Sequence, residues 1–202
     1  MRNKLIISVS VAALLWFVMF NPWMGLASHF WLIMAISSAI LITLAFLWGE
    51  IKLRFNIQQI ALGILIAAVL WGIFWTGDKL SSLMFNFSRP QVDSIYAMGE
   101  GAKKWLVAMQ LIALTGPAEE IFWRGFIQQR LTKTKGPFAA MLITLVIYSL
   151  IHIWSFNFML IMAAMVAGAV WGFLYYIKPN WLPALVISHA IWDAAVFVVF
   201  PI

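Results

Sequence analysis

The sequence predicts an all-α protein, a polytopic bundle of about seven transmembrane helices. Of its 202 residues 64% are hydrophobic and only 10% are charged, and the mean hydropathy is +0.97. A soluble domain of this size could not keep a polar surface with such a composition. We therefore expect residues 1–202 to form a single membrane-embedded domain, with membrane lipid as its surroundings.

The charged residues exclude several other classes of protein. The chain has 13 Lys and Arg residues against 7 Asp and Glu residues, but the basic residues lie in short segments between apolar runs, where they set membrane topology. We therefore expect no nucleic-acid partner. The absence of cysteine excludes disulfides, thiolate metal sites and a cysteine nucleophile.

The first half of the chain contains three apolar runs. Arg2 and Lys4 precede the first run, so a cleavable signal peptide is one interpretation. The run continues through Trp23 and is followed at once by another, which favours a retained first helix. The predicted spans of this half are about residues 5–24, 29–48 and 57–75.

The only long connection covers residues 76–101 and mixes charged residues with Leu83 and Phe87. An amphipathic segment on the membrane surface fits this pattern, either as a packed interfacial loop or as a lid over a substrate entry.

The second half contains four more predicted spans. Gly116-Pro117 interrupts the fourth, and because proline suits a first helical position, we expect a new helix to start there. The apolar stretch 138–177 is long enough for two spans, with a turn near residues 155–157. In the second of these, Ala164, Gly168 and Gly172 recur every four residues, a pattern typical of helix packing. The predicted spans of this half are about 103–128, 138–154, 158–177 and 183–200.

The basic segments predict the orientation of the bundle. Residues 52–54, 130–135 and 178 fall on one side if the amino terminus lies in the cytoplasm, as the positive-inside rule requires. Lys103 and Lys104 fall on the other side and are the exception. We expect a multi-pass protein of a bacterial cytoplasmic membrane.

Two adjacent carboxylates and an arginine lie inside the fourth span. Such charges in lipid are rare and usually functional. Glu120 and Arg124 are four residues apart and share a helix face, whereas Glu119 points about 100° away. We expect Glu120 to pair with Arg124 and Glu119, in the first turn of the new helix, to be free for chemistry. An ordinary ion pair at a helix end is the alternative.

Three further polar residues interrupt the later spans. His152 follows Tyr148 by four residues in the fifth span, and Asp193 follows His189 by four in the seventh, so each pair shares a helix face. Imidazole and carboxylate groups in lipid need partners. We expect them to meet Glu119.

These residues resemble the three motifs of the CPBP family of membrane proteins, which contains CAAX proteases and bacteriocin-processing enzymes. Glu119-Glu120-Ile-Phe-Trp-Arg124 fits E-E-x-x-x-R in full. Tyr148-Ser-Leu-Ile-His152 fits F-x-x-x-H with tyrosine for phenylalanine, and His189-Ala-Ile-Trp-Asp193 fits H-x-x-x-N or D in its aspartate form. The resemblance covers about residues 102–202.

The resemblance implies an intramembrane endopeptidase that needs no metal or other cofactor and acts on peptides or membrane proteins. Glu119 would act as a general base and activate a water together with His152, while His189 and Asp193 would hold the oxyanion. Glu120, Arg124 and Tyr148 would support these residues. An ionised aspartate cannot donate a hydrogen bond, so Asp193 is either protonated or, as we favour, orients His189.

Two other functions are open at this point. Glu119, His152, His189 and Asp193 are also acceptable ligands for zinc, although the chain lacks a helical His-Glu-x-x-His pair. Alternatively, the protein is a non-catalytic immunity factor or scaffold whose polar residues only join helices.

Overall fold

The computed structural model describes residues 2–98 and 100–202, and this part of the chain contains eight helices and no strand. The prediction of an all-α bundle is confirmed. Short 3-10 turns cover Pro22–Met24, Ala27–His29, Ile151–Ser155 and Pro179–Trp181, and a π-helical turn, Ala195–Val199, follows the last helix. The helices are α1 (Arg2–Phe20), α2 (Phe30–Trp48), α3 (Ile57–Met84), α4 (Ser88–Ala97), α5 (104–135), α6 (Pro137–Leu150), α7 (Phe158–Ile177) and α8 (Leu182–Ala194).

Six stretches of the described chain are long and apolar enough to cross a membrane: Asn3–Phe20, Ala27–Trp48, Ile57–Met84, Pro137–Ser155, Phe158–Ile177 and Pro179–Val199. Helix α5 is the seventh long helix and is less apolar, because it contains Glu119, Glu120 and Arg124. At 1.5 Å per residue, α5 is about 48 Å long, which is more than a bilayer core requires.

Helix α5 runs without a break through Pro117, so the prediction of a new helix at Gly116-Pro117 is wrong. Its turns widen to π geometry at Leu111–Thr115 and again at Ile121–Gln128, while Thr115 and Glu120 keep helical φ and ψ angles. Proline lacks an N–H and crowds the carbonyl one turn earlier, and a π turn removes both conflicts with a regular α-helix. Glu119 therefore lies inside a long helix and not at a positive helix end.

Helix α3 continues to Met84, so its predicted end near Trp75 is also wrong. Asp78 is buried and paired with Arg89, the two nitrogen and oxygen atoms being 3.1 Å apart, so its charge does not mark a solvent-exposed loop. The hydroxyl oxygens of Ser81 and Ser88 are 2.8 Å apart and link α3 to α4. The rest of the predicted connection is short, and α4 packs against α3 and α7.

Glycines set how closely α8 approaches its neighbours. A Cβ atom at Gly116 would lie 2.7 Å from the backbone of Ala190, and one at Gly63 would lie 2.7 Å from the carbonyl oxygen of Ala184. Helix α8 therefore packs against both α5 and α3 at backbone distance. The contact at Gly116 places the carboxylates of α5 beside His189.

Candidate active site

One cavity of about 390 Å³ collects the polar side chains of the bundle. Most of its wall is apolar, with aromatic side chains from α1, α2 and α3, among them Trp16, Phe30 and Phe74. Its polar lining includes every residue that the sequence predicts to be catalytic: Glu119, His152, His189 and Asp193, together with Tyr148. Glu120 and Arg124 do not line the cavity, which is the division between the two glutamates that their spacing predicts.

Glu119 is fixed through one of its two carboxylate oxygens. The Tyr148 hydroxyl donates a hydrogen bond of 2.9 Å to Oε2 of Glu119. Oε1 has no hydrogen-bond partner among the described residues, and the side chain is 7% exposed and lines the cavity. The carboxylate is therefore oriented on one side and free to bind another group on the other.

Glu120 and Arg124 form an ion pair that is sealed inside the protein. Nη1 of Arg124 lies 2.7 Å from Oε1 of Glu120, and the two side chains are 0–1% exposed. Nη2 of Arg124 donates to the carbonyl oxygen of Gly168 at 3.0 Å, and the guanidinium lies over the ring of Tyr148. The small residues of α7 therefore do more than allow close packing, because they expose a carbonyl that anchors the arginine.

His189 is held on three sides. Its Nδ1 lies 2.9 Å from Oε1 of Glu120, and because that carboxylate already pairs with Arg124 it is ionised, so Nδ1–H is the donor. The imidazole stacks on Trp171, with ring centroids 3.9 Å apart and 19° between the planes. Nε2 lies 3.5 Å from Oδ2 of Asp193. Both His189 and Asp193 line the cavity.

Both ring nitrogens of His152 have partners. Nδ1 lies 2.8 Å from the carbonyl oxygen of Tyr148, which can only accept, so Nδ1 carries a proton. The indole N–H of Trp16 donates to Nε2 at 3.1 Å, so Nε2 is unprotonated. His152 is thus a neutral imidazole with a defined tautomer.

Trp16 is a site residue that the motifs do not reveal. It lies in α1, 136 positions before His152, in the half of the chain that carries no motif. The one signal in the sequence is its place in the middle of an apolar run, because the tryptophans of an aromatic belt lie near span ends.

The geometry bears on the zinc alternative. Among the described residues no group of three or more histidine, aspartate and glutamate side chains is arranged to hold a metal ion. Both nitrogens of His152 are already bonded to Tyr148 and Trp16, so this histidine would have to turn to ligate zinc. The conserved spacing of ligands that a helical zinc motif supplies is absent from the sequence.

A multi-pass helical bundle with carboxylates and histidines around one buried cavity has the architecture of an intramembrane hydrolase. Residues 101–195 match the family model described as "Type II CAAX prenyl endopeptidase Rce1-like". For this part of the chain the match confirms the relationship to the CPBP family of CAAX proteases, and it supports a CAAX-type intramembrane protease. No curated protein and no solved structure was found to match the chain.

Proposed function

We propose that the protein is a glutamate-dependent intramembrane endopeptidase that hydrolyses peptide bonds of membrane proteins or membrane-associated peptides. The observation that carries this proposal is the position of Glu119, whose free Oε1 atom lies in the cavity that His152, His189 and Asp193 also line. A buried carboxylate with one fixed and one free oxygen is suited to removing a proton from a water molecule.

In the proposed reaction, a water bound at Oε1 of Glu119 attacks the carbonyl carbon of the peptide bond. Its proton passes to Glu119, and the carbonyl oxygen becomes an oxyanion. Glu119 then gives the proton to the leaving amine as the carbon–nitrogen bond breaks, which regenerates the carboxylate. The hydrogen bond from Tyr148 keeps the carboxylate in one orientation throughout these steps.

The role proposed for His152 requires a change at Nε2. This atom is the only acceptor on the ring, and the Trp16 indole N–H occupies it in the structure. The attacking water therefore has to replace Trp16 at Nε2 when His152 orients it, and a small rotation of the indole is enough to open the position.

The role proposed for His189 is to stabilise the oxyanion. Its Nδ1–H is committed to Glu120, so only Nε2–H can point at developing negative charge, which requires a doubly protonated ring. Glu120 and Asp193 lie on either side of that imidazolium, and Trp171 stacks on its face. Asp193 then acts by orienting His189 and balancing its charge, rather than as a hydrogen-bond donor.

The first prediction concerns cleavage without metal. Purified protein in detergent should cleave members of a pool of membrane-protein and leader-peptide substrates, and cleavage should continue at the same rate in a strong chelator, because the proposed water is activated by Glu119. Mass spectrometry of the products measures both. Cleavage that stops in chelator and returns with zinc would establish the metal enzyme, and no cleavage under any condition would favour the non-catalytic alternative.

The cavity and the basic segments lie at opposite ends of the bundle. The cavity is lined by the end of α1, the start of α2 and the second half of α3. The basic end is held together by Lys133 and Glu50, 2.8 Å apart, and by Arg130, which donates to the carbonyl oxygen of Trp48. With the basic end in the cytoplasm, as the positive-inside rule predicts, the cavity opens on the outer side of the membrane.

The second prediction tests this orientation. The chain has no cysteine, so single cysteines can be placed at the exposed positions Glu100, near the cavity end, and Thr134, at the basic end. Neither change removes a basic residue. In intact bacterial cells a membrane-impermeant maleimide should label Glu100→Cys, and it should label Thr134→Cys only after permeabilisation. The reverse pattern would place the cavity mouth in the cytoplasm.

A further inference from the structure

The 200–202 segment, Phe200-Pro201-Ile202, leaves the last helical turn and lies at the edge of the cavity, where Ile202 forms part of the lining. Three side chains hold it. Trp71 Nε1 donates to the carbonyl oxygen of Phe200 at 3.1 Å, and the Tyr96 hydroxyl oxygen accepts from the backbone N–H of Ile202 at 3.0 Å. Both terminal nitrogens of Arg89 donate to the main-chain oxygen of Ile202 at 3.3 Å.

All of these hydrogen bonds go to main-chain atoms of the 200–202 segment. Main-chain N–H and C=O groups are common to nearly all peptides, so this set of side chains can hold other sequences in the same way. The three side chains offer two kinds of donor and one acceptor, which is what an extended peptide needs when no strand is available to pair with it.

Arg89 is fixed in place by its own partners. Its guanidinium lies 3.1 Å from Oδ1 of Asp78 and 2.7 Å from Oδ1 of Asp93. Asp78 is only 6% exposed and belongs to α3, whereas Asp93 belongs to α4. Two carboxylates from two helices therefore hold the guanidinium, so its donors at Ile202 lose little freedom when they bind a peptide.

The position of the segment connects it to the proposed chemistry. Asp78, Tyr96 and Ile202 line one end of the same cavity whose other end contains Glu119 and His152. A peptide held by Tyr96 and Arg89 would therefore have its chain directed into the space beside the proposed base.

We propose that Trp71, Arg89 and Tyr96 form a subsite for the main chain of a peptide substrate, and that the 200–202 segment fills this subsite in the resting protein. This inference rests on the proposed peptidase function. A substrate peptide has to displace the segment before it can be cleaved, so the segment limits access to the cavity.

The binding of one defined peptide tests this inference. The probe is a fluorescent peptide with the sequence of residues 198–202, Val-Val-Phe-Pro-Ile, prepared as an amide so that binding does not depend on a free carboxylate. Its affinity is measured by anisotropy in detergent, in a Glu119→Gln background that prevents cleavage. A variant that lacks residues 200–202 should bind the probe at least about tenfold more tightly than the full chain, because its subsite is empty. Equal affinity for the two forms would overturn the inference.

A second variant guards against misfolding of the shortened chain. Inserting three glycines between Val199 and Phe200 keeps the segment and moves it by about 10 Å, and it should produce the same gain in affinity. An unchanged affinity in this folded variant would also contradict the inference.

A methylated probe tests whether the hydrogen bonds, and not apolar contacts, carry the binding. Methylating the N–H that corresponds to Ile202 should weaken binding several-fold to a shortened chain that keeps Tyr96, and it should have no such effect once Tyr96→Phe has removed the acceptor. The same methylation penalty in both chains would overturn the assignment of Tyr96. Because no step requires turnover, these results stand apart from the cleavage assays, and active protein with no subsite effect would refute this inference alone.

Discussion

Replacing Glu119 by glutamine should reduce the rate of peptide hydrolysis by about 10²–10⁴-fold and leave the fold intact. Glutamine has nearly the same shape, and its amide oxygen can still accept the hydrogen bond from Tyr148. It cannot take a proton from water, so only the chemical step is lost. Single-turnover rates on an identified substrate measure the effect, and thermal unfolding in detergent checks the fold.

Tyr148→Phe is the matched control for this substitution. It removes the hydrogen bond to Glu119 but keeps the carboxylate, and it restores the phenylalanine that the family motif has at this position. We expect a loss of about tenfold or less, in line with one hydrogen bond to a charged group. If Glu119→Gln were no more harmful than Tyr148→Phe, Glu119 would be a structural residue.

The second large effect should come from Arg124→Met, which should lower the free energy of unfolding by about 3–5 kcal/mol. This change leaves the Glu120 carboxylate, which is 0% exposed, with His189 as its remaining partner. It also removes the donor to the carbonyl oxygen of Gly168. Unfolding by titration with a denaturing detergent measures the difference from the wild type.

The double variant Glu120→Gln/Arg124→Met separates a broken ion pair from lost packing. Because it contains no unpaired charge, it should recover most of the stability that Arg124→Met loses. Arg124→Lys should be intermediate, since lysine keeps the charge but cannot hold Glu120 and Gly168 with one planar group. A cost below about 1 kcal/mol for Arg124→Met would mean that water reaches Glu120.

Local spacing explains why much of the site could be predicted from sequence. The pairing of Glu120 with Arg124 depends only on the pitch of a helix, and so does the different direction of Glu119. The scarcity of polar residues in these spans left few partners for His152, His189 and Asp193. Their common cavity follows from that scarcity.

Contacts between distant helices could not be predicted in this way. Trp16 and Trp171 bind the two histidines, but each lies in a span that is apolar on all sides, so no periodic pattern shows which face meets the cavity. The same is true of Trp71, whose partner is a main-chain carbonyl of residue 200.

The two errors in helix boundaries have a common cause. Pro117 and Asp78 are strong signals of a helix end when the chain is surrounded by water. Here a π turn absorbs the proline and Arg89 neutralises the aspartate. Both compensations come from structure that the local sequence does not encode.

The most direct test of the central claim compares wild-type protein with Glu119→Gln after metal has been removed from both and its absence verified by elemental analysis. The rate of cleavage of one identified peptide is measured for each. We expect the metal-free wild type to keep its full rate and the folded Glu119→Gln protein to lose it. A wild type that is inactive until zinc is restored, or a Glu119→Gln protein that still cleaves, would contradict the assignment of Glu119 as the base.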